Sequence, residues 1–284
     1  MTMTLARKNG QTTTPKLDRW RKLVDQTLDK TLPKTAAIPP VVHEGMRYCV
    51  FTGGKRFRPL LCLGAAAAVS GQERRALPVA CALELIHTYS LVHDDLPAMD
   101  NADYRRSQPT CHRKFGEGNA ILIGDSLLTL AFEWLSDEKI PNALAILRLV
   151  SQACGTEGLI GGQILDLQTI SQSRSTTEEA MKDIARWKTG ALITTSVVTG
   201  ALAGGAKPDQ VKRLQKYGQD IGLAFQLIDD IHDREGLAQI LGLDEATRQA
   251  QNLIARARAI LEPFGSSANG LRQMANWLST TANP

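Results

Sequence analysis

The most constraining feature of this sequence is a helical spacing of apolar residues that recurs along almost its whole length. Apolar positions three and four apart predict helices near 17–30, 41–52, 57–70, 75–95, 119–136, 142–158, 178–202, 208–231, 244–262 and 268–281. Their ends coincide with Gly71, Pro141, the Ser/Thr-rich stretch 171–177, the pair Gly204-Gly205 and the stretch 263–270. Long apolar helices with short connections are typical of a helical bundle. We therefore predict an all-α fold of about ten or more helices.

The domain organisation follows from the lack of any internal stretch with a disordered composition. A single helical domain over residues 17–284 is expected, preceded by a flexible tail over residues 1–16. The first 17 residues contain Arg7, Lys8 and Lys16 but no acidic residue, a composition shared with organelle transit peptides. A frayed polar tail is the favoured interpretation.

Composition excludes several classes of protein. The net charge is +4, aromatic residues make up 5% of the chain, and the basic residues are dispersed, so a nucleic-acid interface is not expected. The five cysteines are odd in number and never spaced C-x-x-C, which argues against a disulfide framework and fits a reducing, cytoplasmic location. The longest apolar stretch, over 60–69, is too short to span a membrane.

Two acidic clusters stand out because each follows a largely apolar helical stretch. The first acidic cluster, in the run HDDLPAMD, comprises Asp94, Asp95 and Asp100. The second acidic cluster, in QLIDDIHD, comprises Asp229, Asp230 and Asp233. Spacings of three and four place the second set on one helix face, whereas the break at Pro97 requires a bend to return Asp100 to Asp94.

Carboxylates this close repel one another, and hard cations with oxygen ligands relieve that repulsion. The two clusters therefore predict Mg²⁺ sites that share substrate phosphates. A solvated helix end is the common interpretation of a single Asp pair, but it explains two such clusters poorly.

Basic residues complement these clusters. Lys55 and Arg58 lie in GGKRFRP just before a predicted helix, Arg105 and Arg106 follow the first acidic cluster, and Lys188 opens the run KTGALI. Arginine forks bind phosphate in a bidentate manner and lysine acts as a mobile charge. GGKRFRP lacks the spacing of a phosphate-binding P-loop, so by itself it is weak evidence for phosphate binding. It indicates a phosphate site because it occurs together with the two acidic clusters.

Together these motifs resemble the trans-prenyltransferases of the polyprenyl synthetase family, and closely the bacterial-type farnesyl diphosphate synthases. The resemblance runs from about Glu44 to Asp233 and more loosely through the last two helices. It is carried by GGKRFRP, LELIHTYSLVHDDLPAMDNADYRRSQPTCHRKFGEGNAILIGDSLL, GGQILDL, KTGALI and GLAFQLIDDIHD. It implies a helical bundle around a central cavity that condenses isopentenyl diphosphate head-to-tail with dimethylallyl or geranyl diphosphate.

The resemblance also implies a role for each matching residue. The six aspartates of the two clusters would hold about three Mg²⁺ ions on the allylic diphosphate. The isopentenyl diphosphate pocket would comprise Lys55, Arg58, His87 and Arg106. The residues around the allylic substrate would be Arg105, Lys188, Thr189 and Gln226, with Gln163 and Asp166 lining the same cavity.

The implied mechanism needs no side-chain nucleophile. Cations stabilise the departing diphosphate, and the allylic cation forms within apolar walls that exclude water. The alkene of isopentenyl diphosphate then attacks, and the released diphosphate takes the proton.

Product length is expected to depend on Tyr89, with Ser90 beside it. Tyr89 precedes Asp94 by five positions, about 7.5 Å along a helix. In the family a bulky residue here usually stops growth at the fifteen-carbon product, which favours farnesyl diphosphate. Geranyl and geranylgeranyl diphosphate remain alternatives, as does a core role for Tyr89.

The sequence departs from the family after the second acidic cluster. The family normally continues with a Gly-Lys loop and a Lys-Thr-Tyr-Pro stretch, whereas here 233–236 runs almost directly into 237–243 and no lysine follows Lys216. Closure over the diphosphate is therefore expected to be weaker, with Arg234 replacing part of the charge. A smaller departure is the run Asn101-Ala102-Asp103, where relatives often carry more acids.

Three other functions compete. A class I terpene cyclase would share the first acidic cluster but not an all-acidic second one, and an HD-type phosphohydrolase would use His93-Asp94 but has no role for the second cluster. The shortened stretch after Asp233 also allows a weakly active regulatory subunit.

His87 and His93, six apart, do not share a helix face, so a common metal site is not expected. Predicted helices 75–95 and 119–136 are apolar around most of their circumference, which favours a homodimer.

Overall fold

The computed structural model describes residues 14–172 and 177–282, and most of these residues are helical. The α-helices are α1 Pro15–Thr31, α2 Pro40–Phe51, α3 Phe57–Ser70, α4 Leu77–Asp94, α5 Cys111–Phe115, α6 Glu117–Leu135, α7 Ala143–Cys154, α8 Leu159–Gln172, α9 Glu178–Ile184, α10 Ala191–Ala203, α11 Pro208–Asp233, α12 Gly236–Leu241, α13 Leu243–Ile260 and α14 Asn269–Thr281. Glu73–Ala76 and Glu262–Ala268 form 3-10 helices, and Ala185–Gly190 forms a π-helical turn between α9 and α10. The strands β1 Tyr104–Arg105 and β2 Gln108–Pro109 pair as a short antiparallel hairpin.

Local sequence explains where helices start and stop. The Thr14 side chain accepts a hydrogen bond from the amide of Leu17, and Pro15 occupies the first turn of α1, a position that needs no N–H donor. At the C-terminal end of α3, Gly71 adopts the left-handed conformation with φ 71° and ends the helix. Such caps satisfy the backbone groups that a helix end leaves unpaired.

The centre of the core is built from helices that are apolar on nearly every side. All residues of α3 from Phe57 to Ala68 are buried, and α4 and α10 are almost as completely enclosed. One hydrophobic cluster continues from Leu17 in α1 to Leu278 in α14. Because α4 ends at Asp94 and α11 ends at Asp233, this core fixes the helix ends that carry the two acidic clusters.

Most predicted helices are confirmed within a few residues, and the all-α prediction is confirmed. The sequence missed α8, which contains the pair Gly161-Gly162. It also missed α5, α12, the hairpin and the π-helical turn. The predicted tail lies mostly outside the described residues, although Pro15 and Lys16 already belong to α1. Most of the Ser/Thr-rich stretch 171–177 also lies outside them, and the single-domain assignment stays a prediction.

Two helical stretches in the described ranges are long and apolar enough to cross a membrane by length and composition alone. They are Glu73–Asp94, 72% buried inside the protein, and Ala143–Thr169, 33% buried, which is interrupted between α7 and α8. The first is the core helix α4, and buried core helices often have this composition, so the two stretches are weak indications of a membrane span. The prediction that no stretch has sufficient length was too strong, and the case against a span at α4 depends on burial. The helix predicted over 75–95 is apolar on most sides, and most of that apolar surface is buried in the core.

Candidate active site

The first acidic cluster lies where α4 ends and the chain bends. Asp94 is the last residue of α4, and the backbone amide of Asp100 donates a 2.8 Å hydrogen bond to the carbonyl oxygen of Asp94. The amide of Ala102 also bonds the carbonyl oxygen of Asp95 at 3.2 Å. The bend that the sequence required at Pro97 therefore returns Asp100 to the end of α4.

Within this cluster, Asp95 is bound by an arginine. Arg105 Nε lies 3.0 and 2.8 Å from the two carboxylate oxygens of Asp95, and its Nη2 lies 2.7 Å from Oδ1. The hairpin supplies this arginine, because Arg105 is the last residue of β1. A planar guanidinium that grips a carboxylate in this bidentate way fixes the orientation of both groups.

Asp94 is held in a different environment. Its side chain is buried, and burial, together with the negative charges of Asp100 and Asp95, raises its pKa to about 6. The positive charges of Lys188 and Arg105 partly offset this rise. Its ionised form is therefore costly unless further positive charge arrives.

The second acidic cluster forms the C-terminal end of α11. Asp230 accepts hydrogen bonds from Gln226 Nε2 at 2.7 Å and from the backbone amide of Leu237 at 2.8 Å. In contrast, Oδ1 of Asp229 is buried and has no hydrogen-bond partner among the described residues. Burial first, and then the negative charges of Asp233, Asp230 and Glu235, raise the pKa of Asp229 to about 7. An unpaired buried carboxylate oxygen indicates a position that a cation or ligand would satisfy.

Lys188 lies within electrostatic reach of residues at both helix ends. It forms an ion pair with Asp166, and its positive charge favours the ionised forms of both Asp94 and Glu235. Asp94 belongs to the first cluster, and Glu235 follows the second by two residues. The convergence of the two clusters on one cavity stays a prediction.

The π-helical turn and the GGQILDL run explain how Lys188 reaches this position. Lys188 lies within the turn Ala185–Gly190, and a Cβ atom on Gly162 would lie 2.2 Å from the backbone nitrogen of Lys188. Only glycine at this position allows α8 to approach the turn so closely. Short π-helical segments often occur at functional sites, where they redirect side chains.

The donor chemistry of both clusters fits Mg²⁺. Carboxylate oxygens are its preferred protein ligands, and Asp94 and Asp229 combine burial with raised pKa values. Over 14–172 and 177–282, no three His, Cys, Asp or Glu side chains are grouped so as to hold a metal ion by themselves. Mg²⁺ usually takes one or two carboxylates and completes its shell with water and substrate phosphates, which agrees with this arrangement.

The cations of GGKRFRP have two different functions. Arg56, which the sequence did not single out, is structural: its guanidinium bonds Asp25 at 2.7 Å and Glu84 at 2.8 Å. Arg58 is buried, its Nε has no hydrogen-bond partner in the described ranges, and burial lowers its pKa to about 10. An arginine enclosed in this way is available for an anionic ligand.

His87 and Arg106 lie close to Arg58. Burial lowers the pKa of His87 well below its usual value, and the positive charges of Arg58 and Arg106 lower it further. Arg106 also donates a hydrogen bond to the carbonyl oxygen of Gly53, which ties the hairpin to the GGKRFRP loop. Arg58, His87 and Arg106, three of the four residues predicted for one substrate pocket, therefore lie close together, and Lys55 precedes Arg58 by three residues in the GGKRFRP run.

Other predicted residues have simpler surroundings. Both amide atoms of Gln163 are buried without a hydrogen-bond partner among the described residues, while Gln226 is bound to Asp230 and Thr189 is half-buried in the π-helical turn. Tyr89 is buried, and burial followed by the nearby Cys154 and Asp94 raises its pKa. Ser90 donates to the carbonyl oxygen of His87 at 3.0 Å.

His93 has a structural position. Its Nε2 lies 3.0 Å from the carbonyl oxygen of Ile121, and it packs against Gly124, where a Cβ would lie 2.1 Å from that nitrogen. It therefore joins α4 to α6.

The connection after Asp233 folds onto the second acidic cluster. Arg234 is exposed and ends α11 in the left-handed conformation with φ 57°, and α12 begins two residues later. Gly236 has φ 57°, and a Cβ there would lie 2.6 Å from the Asp230 carboxylate. Glu235, which the sequence did not single out, adds negative charge beside Asp233. The unusual run 233–236 was the signal that could have indicated it.

A cleft of about 1020 Å³ opens elsewhere, between the connection from α7 to α8 and parts of α9, α10, α11 and α13. It is lined by Trp187 and Gly190 of the π-helical turn but by none of the six aspartates. The candidate active site is therefore defined by charge and hydrogen bonding around Lys188 and not by cleft size.

The comparisons with known proteins agree with this site. Residues 39–247 match the polyprenyl synthetase family. A geranylgeranyl diphosphate synthase of Cyanophora paradoxa is 44% identical over 238 residues, which cover 81% of this chain and 78% of that protein. A farnesyl diphosphate synthase of Geobacillus stearothermophilus is 41% identical over 241 residues, which cover 83% and 80%. The apo crystal structure of an FPP/GFPP synthase from Zymomonas mobilis matches with a TM-score of 0.88 at 38% identity, covering 92% of this chain and 97% of that one. This chain therefore belongs to the polyprenyl synthetase family and is a trans-prenyltransferase.

Proposed function

We propose that this enzyme condenses isopentenyl diphosphate with dimethylallyl or geranyl diphosphate in a Mg²⁺-dependent reaction and releases farnesyl diphosphate. The observation that carries the proposal is that two buried aspartates with raised pKa values, Asp94 and Asp229, lie near the ends of two helices, with the positive charge of Lys188 near Asp94 and that of Lys55 near Asp229. With Asp100 and Asp233 they supply carboxylates for about three Mg²⁺ ions. Asp95 and Asp230 support these ligands from their bonds to Arg105 and to Gln226.

The chain's own residues would act by binding and by excluding water. When bound, Mg²⁺ would neutralise the negative charge of the leaving diphosphate. Lys188 and Arg105 would add positive charge on the allylic side, with Thr189 and Gln226 beside them, while Arg58, His87, Arg106 and Lys55 would hold isopentenyl diphosphate. Gln163 and Asp166 would line the same space. The buried helices behind Tyr89 would keep water from the allylic cation.

The farnesyl product is supported by the position of Tyr89. Its side chain is 5% exposed and lies on α4 below Asp94, where a growing apolar tail would meet the ring. Geranylgeranyl diphosphate is the second candidate product, because a geranylgeranyl diphosphate synthase is among the relatives.

Product length can be measured with the purified chain, Mg²⁺, geranyl diphosphate and isopentenyl diphosphate. We expect a fifteen-carbon product from the wild type and a longer one from Tyr89→Ala. Tyr104→Ala, at a residue that is 71% exposed, serves as the matched control. An unchanged product length in Tyr89→Ala would mean that a residue other than Tyr89 limits the length of the product. No product from the chain alone, with activity restored by a partner subunit, would favour the regulatory-subunit alternative that the shortened run 233–236 raises.

We also propose a cytoplasmic homodimer. The cysteines are free thiols, as is usual in reducing compartments. Exposed apolar side chains lie on three consecutive helices: Ile121 and Leu122 on α6, Leu144 on α7, Ile160 and Ile164 on α8. Exposed apolar residues on adjoining helices are typical of subunit interfaces. Light scattering should give twice the chain mass, and a monomer at micromolar concentration would contradict the dimer.

A further inference from the structure

The C-terminal helix reaches the candidate active site through one aromatic residue. Trp277 lies on α14, and the Nζ atom of Lys55 lies 4.7 Å from the centre of its ring. Lys55 belongs to the GGKRFRP run near the other end of the chain. An ammonium group over an indole face at this distance is a cation–π contact.

The ring of Trp277 is itself held in place. Its centroid lies 5.6 Å from that of Phe57 on α3, and Phe57 lies 4.9 Å from Phe225 on α11. Near the end of α14, the carbonyl oxygen of Thr281 lies 2.7 Å from Nε2 of His232, the residue before Asp233. Trp277 is therefore fixed between α3 and the helix that carries the second acidic cluster.

Lys55 connects this aromatic group to the second acidic cluster. Its positive charge favours ionisation of Asp229, and partial burial lowers its own pKa. Lys55 nevertheless keeps an exposed face. Contact with the ring of Trp277 restricts the directions of its long side chain and lowers the entropy lost when the ammonium group meets a phosphate.

This arrangement matters more because of the shortened connection after Asp233. No lysine follows Lys216, so the segment beyond the second acidic cluster brings no lysine to the substrate. Lys55 comes from the N-terminal part of the sequence to the second acidic cluster, and it contacts Trp277 of α14.

We propose that Trp277 is a positioning residue that holds the Lys55 ammonium group at the diphosphate of isopentenyl diphosphate. This inference rests on the proposed function, which assigns Lys55 to that substrate. A cation–π contact of this kind predicts roughly a 3- to 30-fold rise in KM when the aromatic ring is removed. The chemical step should change little, because Trp277 touches no reacting atom.

The test compares Trp277→Leu, Trp277→Phe, Lys55→Gln, the double variant Lys55→Gln with Trp277→Leu, and Leu278→Ala. Leu278, also on α14 and fully buried, is the matched control for damage to helix packing. We expect Trp277→Leu to raise KM for isopentenyl diphosphate with kcat nearly unchanged, and Trp277→Phe to restore most of the wild-type KM. The double variant should have the same KM as Lys55→Gln alone, and Leu278→Ala should lower Tm without raising KM.

Two results would overturn the inference alone: a raised KM in Lys55→Gln without one in Trp277→Leu, or equal KM increases in Trp277→Leu and Leu278→Ala. An unchanged KM in Lys55→Gln would instead remove Lys55 from the substrate pocket. That result would contradict the proposed function at this residue, and the inference with it.

Discussion

The two acidic clusters contain the same Asp-Asp pair at a helix end, but the protein satisfies them in different ways. At the end of α4, Asp95 is bound by the charged Arg105. At the end of α11, the corresponding donors are neutral, an amide group of Gln226 and a backbone N–H of α12. The remaining aspartates differ accordingly: the pKa of Asp94 is raised to about 6 and that of Asp229 to about 7. The second cluster therefore depends more strongly on cations that the substrate complex must supply.

The largest expected effect is on catalysis. Asp94→Asn and Asp229→Asn should each lower kcat by about 10²- to 10³-fold. Each change removes a carboxylate that would bind the Mg²⁺ ions, and those ions would neutralise the leaving diphosphate. If the comparison is correct, Asp229→Asn is the more severe, since fewer protein cations surround that cluster.

Steady-state rates at saturating Mg²⁺ provide the measurement. Asp183→Asn is the control, because Asp183 lies on α9 and pairs only with the exposed Arg186 in the described contacts. Full activity in either cluster variant would remove that aspartate from the site.

A smaller effect is expected on stability when the satisfied aspartates are changed. Asp95→Ala leaves the guanidinium of Arg105, only 15% exposed, without its carboxylate and should cost about 3 kcal/mol of unfolding free energy. Asp230→Ala loses two hydrogen bonds from neutral donors and should cost about 1–2 kcal/mol.

Urea denaturation of both variants measures this difference. Equal losses in the two variants would mean that the charged and neutral donors are equivalent, and the contrast between the clusters would fail.

The sequence predicted the fold and the chemical groups better than their contacts. Helical spacing was sufficient for α3, α4 and α11, whose apolar residues are buried as the pattern indicates. It failed at α8, where Gly162 serves close packing against Lys188. That packing depends on tertiary placement, which the local spacing of apolar residues does not reveal.

For the candidate site, too, the sequence indicated residue types but not the contacts between distant segments. The aspartates, Lys188 and Arg58 could be identified because charge beside apolar helices is unusual. The partners of Asp95 and Asp230 could not, because hydrogen bonds between distant segments depend on tertiary placement. Trp277 was missed for the same reason, since a tryptophan on an amphipathic helix ordinarily indicates core packing.

The smallest expected effect concerns the pH dependence of stability without Mg²⁺. The folded-state pKa values of Asp94 and Asp229 lie above the usual 3.8. Between the usual and the raised pKa values, the folded protein therefore binds more protons than the unfolded chain. Stability should therefore fall as pH rises from about 4 to about 7 and level off above. Asparagine at either position should remove part of this decline.

The comparison between the clusters predicts which asparagine removes more. Because the pKa of Asp229 is raised further than that of Asp94, Asp229→Asn should flatten the profile more than Asp94→Asn. Its additional effect should lie between pH 6 and 7, where Asp229 still holds its proton in the folded protein and Asp94 does not. Unfolding free energies measured at intervals of half a pH unit would reveal it. Identical profiles for the two variants would mean that Arg105 and Lys188 leave the first cluster as poorly neutralised as the second.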